Sequence, residues 1–135
     1  MNDTPHDFLH PKHWKPAVGY SNGVAATGRM IFCGGLIGWN ADQAFETDDF
    51  VGQVAQVLRN IVAVLAEGGA GPEHIVRLTW YVTSKQDYLT NLRALGAVYR
   101  EILGRHYPAM ALVQVVALVE DRAKVEIEAT AVVPQ

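Results

Sequence analysis

Between Val51 and Leu65, apolar side chains return at intervals of three and four: Val51, Val54, Leu58, Ile61, Leu65. That period is the stripe of an amphipathic helix. Thr47, Asp48 and Asp49 precede it as a cap and as favourable N-terminal charge, and Gly68-Gly69 stops it. After the turn "GPEH" the period falls to two. Val76, Leu78, Trp80 and Val82 then share one face, and Arg77, Thr79, Tyr81 and Thr83 the other, which predicts a strand from Ile75 to Thr83. A second helix is predicted from about Gln86 to Leu103. Ser84 or Asp87 caps it, Leu92, Leu95, Tyr99 and Ile102 form its stripe, and Gly104 ends it.

Strands flank this centre. Tyr20 to Ala26 and Arg29 to Gly34 read as a hairpin turning at Thr27-Gly28, and the glycines of "CGGLIGWNAD" suggest a bulge or a close backbone approach before a loop. Met110 to Leu118 and Lys124 to Val133 close the chain around the charged turn "VEDRA". Residues 1–19, with their prolines and histidines, carry no period and read as a loop segment ahead of a single domain, 20–135. The order is ββαβαββ, an α+β pattern. Two helices cover one face of such a sheet. The strand from Met110 is apolar on both faces, so its second face is expected to meet another subunit in a symmetric homo-oligomer.

Composition narrows the function classes. The 135 residues carry a net charge of −3, and their arginines and lysines are scattered singly. Nucleic acid as the main partner is therefore disfavoured, since such binding rests on clustered cations. No apolar run approaches the roughly 20 residues of a membrane span, and the polar, acidic start is unlike a signal peptide. A lone cysteine, Cys33, excludes an internal disulfide and fits a reducing, cytoplasmic setting. His10 and His13 have no third fixed partner, so no metal is expected.

Several stretches together carry a resemblance. The Tyr-Ser-x-Gly start at Tyr20, "GRMIFCGGLIG", "GAGPEHIVRLTWYVT", "HYPAMALVQVVAL" and "KVEIEATAV" are similar to the RidA (YjgF) family of reactive-intermediate deaminases, from about Tyr20 to Val133. The resemblance implies a chorismate-mutase-like fold, a homotrimer with three clefts between subunits, and a small-molecule metabolite as partner. It also implies hydrolysis of enamines and imines to 2-oxo acids and ammonia, with neither cofactor nor metal.

That chemistry needs an arginine fork for the substrate carboxylate and a carboxyl group that activates or relays water. By resemblance Tyr20 matches the pocket tyrosine, and Glu126, first acid of "VEIEA", the carboxyl group. The family arginine after Pro-Ala is Met110 here, its serine is Gly34, and its glutamine is Leu36. A methionine cannot replace a bidentate cation, so the ligand is expected to differ. One reading is a divergent enamine/imine hydrolase, with Glu126 catalytic and Tyr20, Gly34, Leu36 and Met110 contacting the substrate. The alternative is a non-catalytic protein binding a small metabolite in the same clefts. A ribonuclease reading fits the acidic charge balance poorly.

Overall fold

The structure is a computed structural model that describes residues 4–135. Its first strand falls inside the segment expected to be loop: β1 (Asp7–Leu9) pairs antiparallel with β2 (Gly23–Ala25) as a two-stranded ribbon. β2 is therefore not the hairpin partner of β3 (Arg29–Ile37). The link between them instead docks on the end of the chain, where a Cβ at Gly28 (φ +150) would run into the Val133 carbonyl. No other residue type fits that close approach at that backbone angle.

The main sheet has four strands in the order β3-β6-β4-β5, with β4 (Ile75–Val82), β5 (Ala109–Gln114) and β6 (Val125–Val133). β6 runs antiparallel to both β3 and β4, whereas β4 and β5 are parallel. Counted from β2, the order is ββαβααββ, the expected ββαβαββ with its second helix in two pieces, and the architecture is a mixed sheet with its helices on one face.

α1 (Phe50–Glu67) carries the expected stripe, and Val54, Leu58, Ile61 and Leu65 are completely buried. Asp49 is its cap: its carboxylate accepts from the Gly52 amide at 2.8 Å. By length and composition alone α1 is long enough to cross a bilayer. Its apolar stripe, however, lies in the core cluster with Leu78, Trp80 and Ile127 of the sheet. Its polar side chains anchor the neighbouring chain. Gln53, fully buried, donates to the carbonyls of Thr47 (3.2 Å) and Arg122 (2.9 Å) and accepts from the Lys124 amide (2.8 Å). Asn60 donates to the carbonyls of Ile37 (3.1 Å) and Trp39 (2.8 Å).

The second predicted helix is two helices, α2 (Lys85–Leu89) and α3 (Leu92–Leu103). Ser84 caps α2 by accepting from the Asp87 amide. The break is local chemistry: Thr90 and Asn91 turn their side chains back onto the carbonyls of Gln86 (2.8 Å) and Asp87 (2.7 Å). The α3 stripe rotates accordingly, burying Leu95, Tyr99 and Leu103 and leaving Leu92 exposed. β5 stops at Gln114, four residues short of the predicted end at Leu118; Val116 and Val119 lie fully exposed on the connection to β6.

Candidate functional site

β6 is hydrogen-bonded on both sides, so its side chains alternate between two faces. Val125, Ile127, Ala129 and Ala131 are buried under the helices, while Glu126, Glu128 and Thr130 point to the other face. The register sets Glu126 opposite Tyr81 and Glu128 opposite Thr79. That face also carries Arg77, and on β3 Met30 and Phe32, which are 56% and 71% exposed.

The expected bulge lies between Cys33 and Leu36. It gives the carboxylate its place: a Cβ at Gly35 would occupy the space of the Glu126 carboxyl group, which therefore lies over the glycine backbone. Gly34 faces open space. Beside it, Phe32, Gly34, Arg77, Thr79, Glu128 and Thr130 line a recess of about 360 Å³. The Tyr81 hydroxyl donates to Glu128 at 2.9 Å, and this bond holds its proton above the usual tyrosine range. Glu128 is thus tied by a hydrogen bond to Tyr81, the residue opposite Glu126. The β4 alternation names Tyr81, but only the β4–β6 register reveals the pairing.

Two predicted site residues lie elsewhere. Leu36 pairs with Ile127 and Met110 with Leu78, and both are partly buried against the helix-covered core. The sheet itself therefore stands between them and Glu126 within one protomer. Tyr20 sits at a third place, in a recess of about 310 Å³ between the N-terminal segment and Tyr107. Ser21 pairs in parallel with Ala109 and accepts no part in the Glu126 face, so Tyr20 is carried at the start of β5, the edge strand that also bears Met110. A larger recess, about 510 Å³, lies under the β5–β6 connection beside Asp48 and Lys124 and touches none of these residues.

The remaining side chains of interest have local settings. Cys33 is buried, and burial pushes its thiol up, as befits an unreactive core cysteine. Trp80 is in the core. His106 is buried, with Nε2 2.6 Å from the Ile75 carbonyl. Trp39 packs on Phe45, whose ring also carries the Arg122 guanidinium. Among the described residues no three His, Cys, Asp or Glu side chains come together as a metal site.

A mixed sheet with a carboxylate-bearing central strand, a glycine bulge beneath it and helices on the far face defines a class of small α+β proteins. The family described as Endoribonuclease L-PSP matches residues 11–133, and the chain belongs to this RidA (YjgF) family. It is 36% identical over 131 residues to protein DfrA of Myxococcus xanthus, spanning 92% of this chain and 93% of that protein. It is 32% identical over 120 residues to TdcF of Escherichia coli, named as a candidate reactive intermediate deaminase, over 86% of this chain and 88% of TdcF. The Yersinia pestis protein YyfB, a Rid-family structure of unknown function, superimposes with a TM-score of 0.83 at 32% identity, covering 98% of this chain and 100% of its own.

Proposed function

We propose that the chain is a divergent enamine/imine hydrolase acting in clefts between the subunits of a homotrimer. The carrying observation is Glu126, half-buried over the Gly35 backbone on a sheet face that no helix covers. A trimer is supported by that face, where Phe32 and Met30 stand exposed, and by the exposed Val116 and Val119. Exposed apolar patches of this kind are characteristic of subunit contacts. Assembly also supplies what one protomer lacks: the β5 edge of one subunit, with Tyr20 and Met110, set against the Glu126 face of the next. A single-cysteine chain of this kind is suited to the reducing cytoplasm.

In this reading Glu126 takes a proton from water as the oxygen adds to the imine carbon. The electron pair of the protonated C=N bond moves to nitrogen, leaving a neutral carbinolamine amine. The Glu126 carboxyl proton passes to that amine, the carboxylate then takes the carbinolamine hydroxyl proton as the C–N bond breaks, and the carbonyl product and ammonia leave while the last proton is lost from Glu126 to solvent. Met110 offers no cation for a carboxylate, so turnover is expected to favour substrates with larger apolar groups.

The core packing of Met110 favours one second reading, a metabolite binder without turnover. Ammonia release separates them, using imines generated in situ from alanine, leucine and phenylalanine by an amino-acid oxidase. A hydrolase gives turnover that rises with side-chain bulk and falls at least 100-fold, about 2.7 kcal/mol, in Glu126→Gln. Turnover no faster than Glu126→Gln in the native protein, whether or not Met110→Arg restores it, would sink the hydrolase reading.

A further inference from the structure

The recess around Tyr20 is built, not incidental. One wall is the loop from His10 to Asn22, whose neck is closed by a hydrogen bond between Asn22 Nδ2 and His10 Nδ1 at 3.1 Å. His10 Nε2 lies 3.1 Å from the Trp14 carbonyl, and the Trp14 amide donates to Pro11 at 3.1 Å. With its acceptor engaged by Asn22, the His10 ring donates from Nε2. Gly19 (φ +78) supplies the reversal that returns the chain to Tyr20. A closed-neck loop packed by its own contacts is a compact Ω-type loop, a common carrier of binding function.

The loop is fixed at both flanks. Upstream, Leu9 pairs with Gly23, where a Cβ would meet the Leu9 side chain at 3.3 Å, so the glycine is what lets the ribbon lie close. Farther up, the Thr4 hydroxyl donates to the Glu73 carbonyl at 2.6 Å, and His6 Nε2 lies 3.3 Å from the His74 carbonyl. Downstream, the Ser21 amide donates to the Pro108 carbonyl at 3.0 Å and its hydroxyl to that of Tyr107. Tyr107 is itself stacked on Tyr99, 5.3 Å between centroids and 9° from parallel. The walls are thus held in place before any ligand arrives.

The lining sets the aromatic and apolar side chains of Phe8, Leu9, Pro16, Tyr20 and Tyr107 beside the polar His10, Ser21 and Asn22, whose polar groups are engaged in the loop's own hydrogen bonds. Its volume of about 310 Å³ lies at the lower end of small-molecule pockets. A cavity of about 150 Å³ already holds benzene. The recess opens at the start of β5, the strand on which Met110 stands where the family resemblance places an arginine.

We propose that this recess receives an aromatic or bulky cyclic apolar group of the ligand, so that the N-terminal loop, with Leu9 and Tyr107, determines specificity in place of a charged anchor. The inference rests on the reading of Tyr20 as a cleft residue and adds the ligand class to it. Selection then comes from ring burial, and a free carboxylate is not required.

The test is binding to the intact protein of 2-phenylacetamide, cyclohexylacetamide and acetamide, followed by the amide resonances of Leu9, Ser21 and Tyr107. The ring compounds are expected to bind about tenfold more tightly than acetamide, the low end of what burying an aromatic group gives. Leu9→Trp, at a position 52% exposed and so tolerant of bulk, fills the recess and removes that advantage. His10→Ala opens the loop neck and weakens ring binding severalfold. Equal binding of all three probes, or shifts confined to the Glu126–Tyr81 face, would overturn the proposal. Ammonia release in parallel keeps the two readings apart. Ring-selective binding without turnover supports the pocket and removes the hydrolase; turnover indifferent to the ring, with no shifts at Leu9, does the reverse.

Discussion

The two faces of the main sheet are built from the same four strands and have opposite characters. Under the helices, Leu78, Trp80, Val82, Ile127 and Ala129 interlock with the α1 stripe, and each is at most 5% exposed. On the other face, Met30, Phe32 and Val113 stand among Arg77, Tyr81, Glu126 and Glu128, with Phe32 71% and Val113 46% exposed. A solvated face would not carry a phenylalanine and a methionine side by side on β3, and a sealed core would not carry two carboxylates on β6. A face with both is suited to partial covering by another subunit that leaves a polar cleft. Stability therefore resides on the first face, and the proposed assembly and chemistry would use the second.

The largest effect that sharpens this contrast comes from matched substitutions. Ile127→Ala, fully buried and central to the core, is expected to cost about 2–5 kcal/mol by lost transfer energy and the cavity left behind. Urea unfolding should show that loss at every protein concentration. Phe32→Glu touches no packed neighbour under the helices, so the protomer should keep its fold while the assembly dissociates. Light scattering would read a threefold drop in mass, with far-ultraviolet dichroism unchanged. A Phe32→Glu protein that keeps the native mass would show that this face is not the subunit contact.

Much of the covered face is legible in sequence because it is dictated by period. The α1 stripe, the Asp49 cap, the Ser84 cap and the Cys33–Leu36 bulge all follow from spacing and local chemistry. The misses have physical reasons. The α2/α3 break depends on Thr90 and Asn91 choosing backbone carbonyls four residues back, which a stripe of leucines hides. The β1–β2 ribbon depends on two short segments whose pairing has no period at all. The site is less legible still. "VEIEA" announces two acids on one face, but that Glu126 lies over Gly35, or that Tyr81 reaches Glu128, follows from strand register. Met110 and Leu36 are found by resemblance, and only the pairing with Leu78 and Ile127 reveals that they face the core.

A smaller effect separates the faces by pH. The covered side of the chain holds His106 neutral: burial lowers its proton affinity, against a weaker opposing pull from its bond to the Ile75 carbonyl. Its Nδ1 is buried without a partner, so a proton there would be an unsatisfied donor. Phe8 packs against the ring, and His6, Glu73 and His74 are the titratable groups around it. The unfolded state takes up a proton near pH 6.5, whereas the folded state does so only at lower pH. Stability is thus complete above pH 6.5 and declines as pH falls through the lowered folded value. Urea midpoints measured downward from pH 7.5 should fall below pH 6.5. His106→Gln, which keeps a donor for Ile75, should flatten that decline; an unchanged decline would place its origin in other groups.

The smallest effect falls on the second face and tests its covering directly. Glu128 already raises the Tyr81 proton affinity through their hydrogen bond, with desolvation the next cause. Glu128→Gln should therefore return one tyrosine towards its ordinary ionisation near pH 10, visible as an earlier rise in absorbance at alkaline pH. If a second subunit lies over this face, desolvation grows on assembly, and Tyr81 must ionise later in the native protein than in dissociated Phe32→Glu. The introduced carboxylate would act in the opposite direction by holding the phenol proton, so Phe32→Ser at dissociating dilution is the cleaner partner in that comparison. A later transition in the assembled protein, lost together with the native mass, places Tyr81 under the neighbouring subunit. Coincident transitions would leave the Tyr81–Glu128 pair in water in both states, and the cleft would have to be sought at the β5 edge alone.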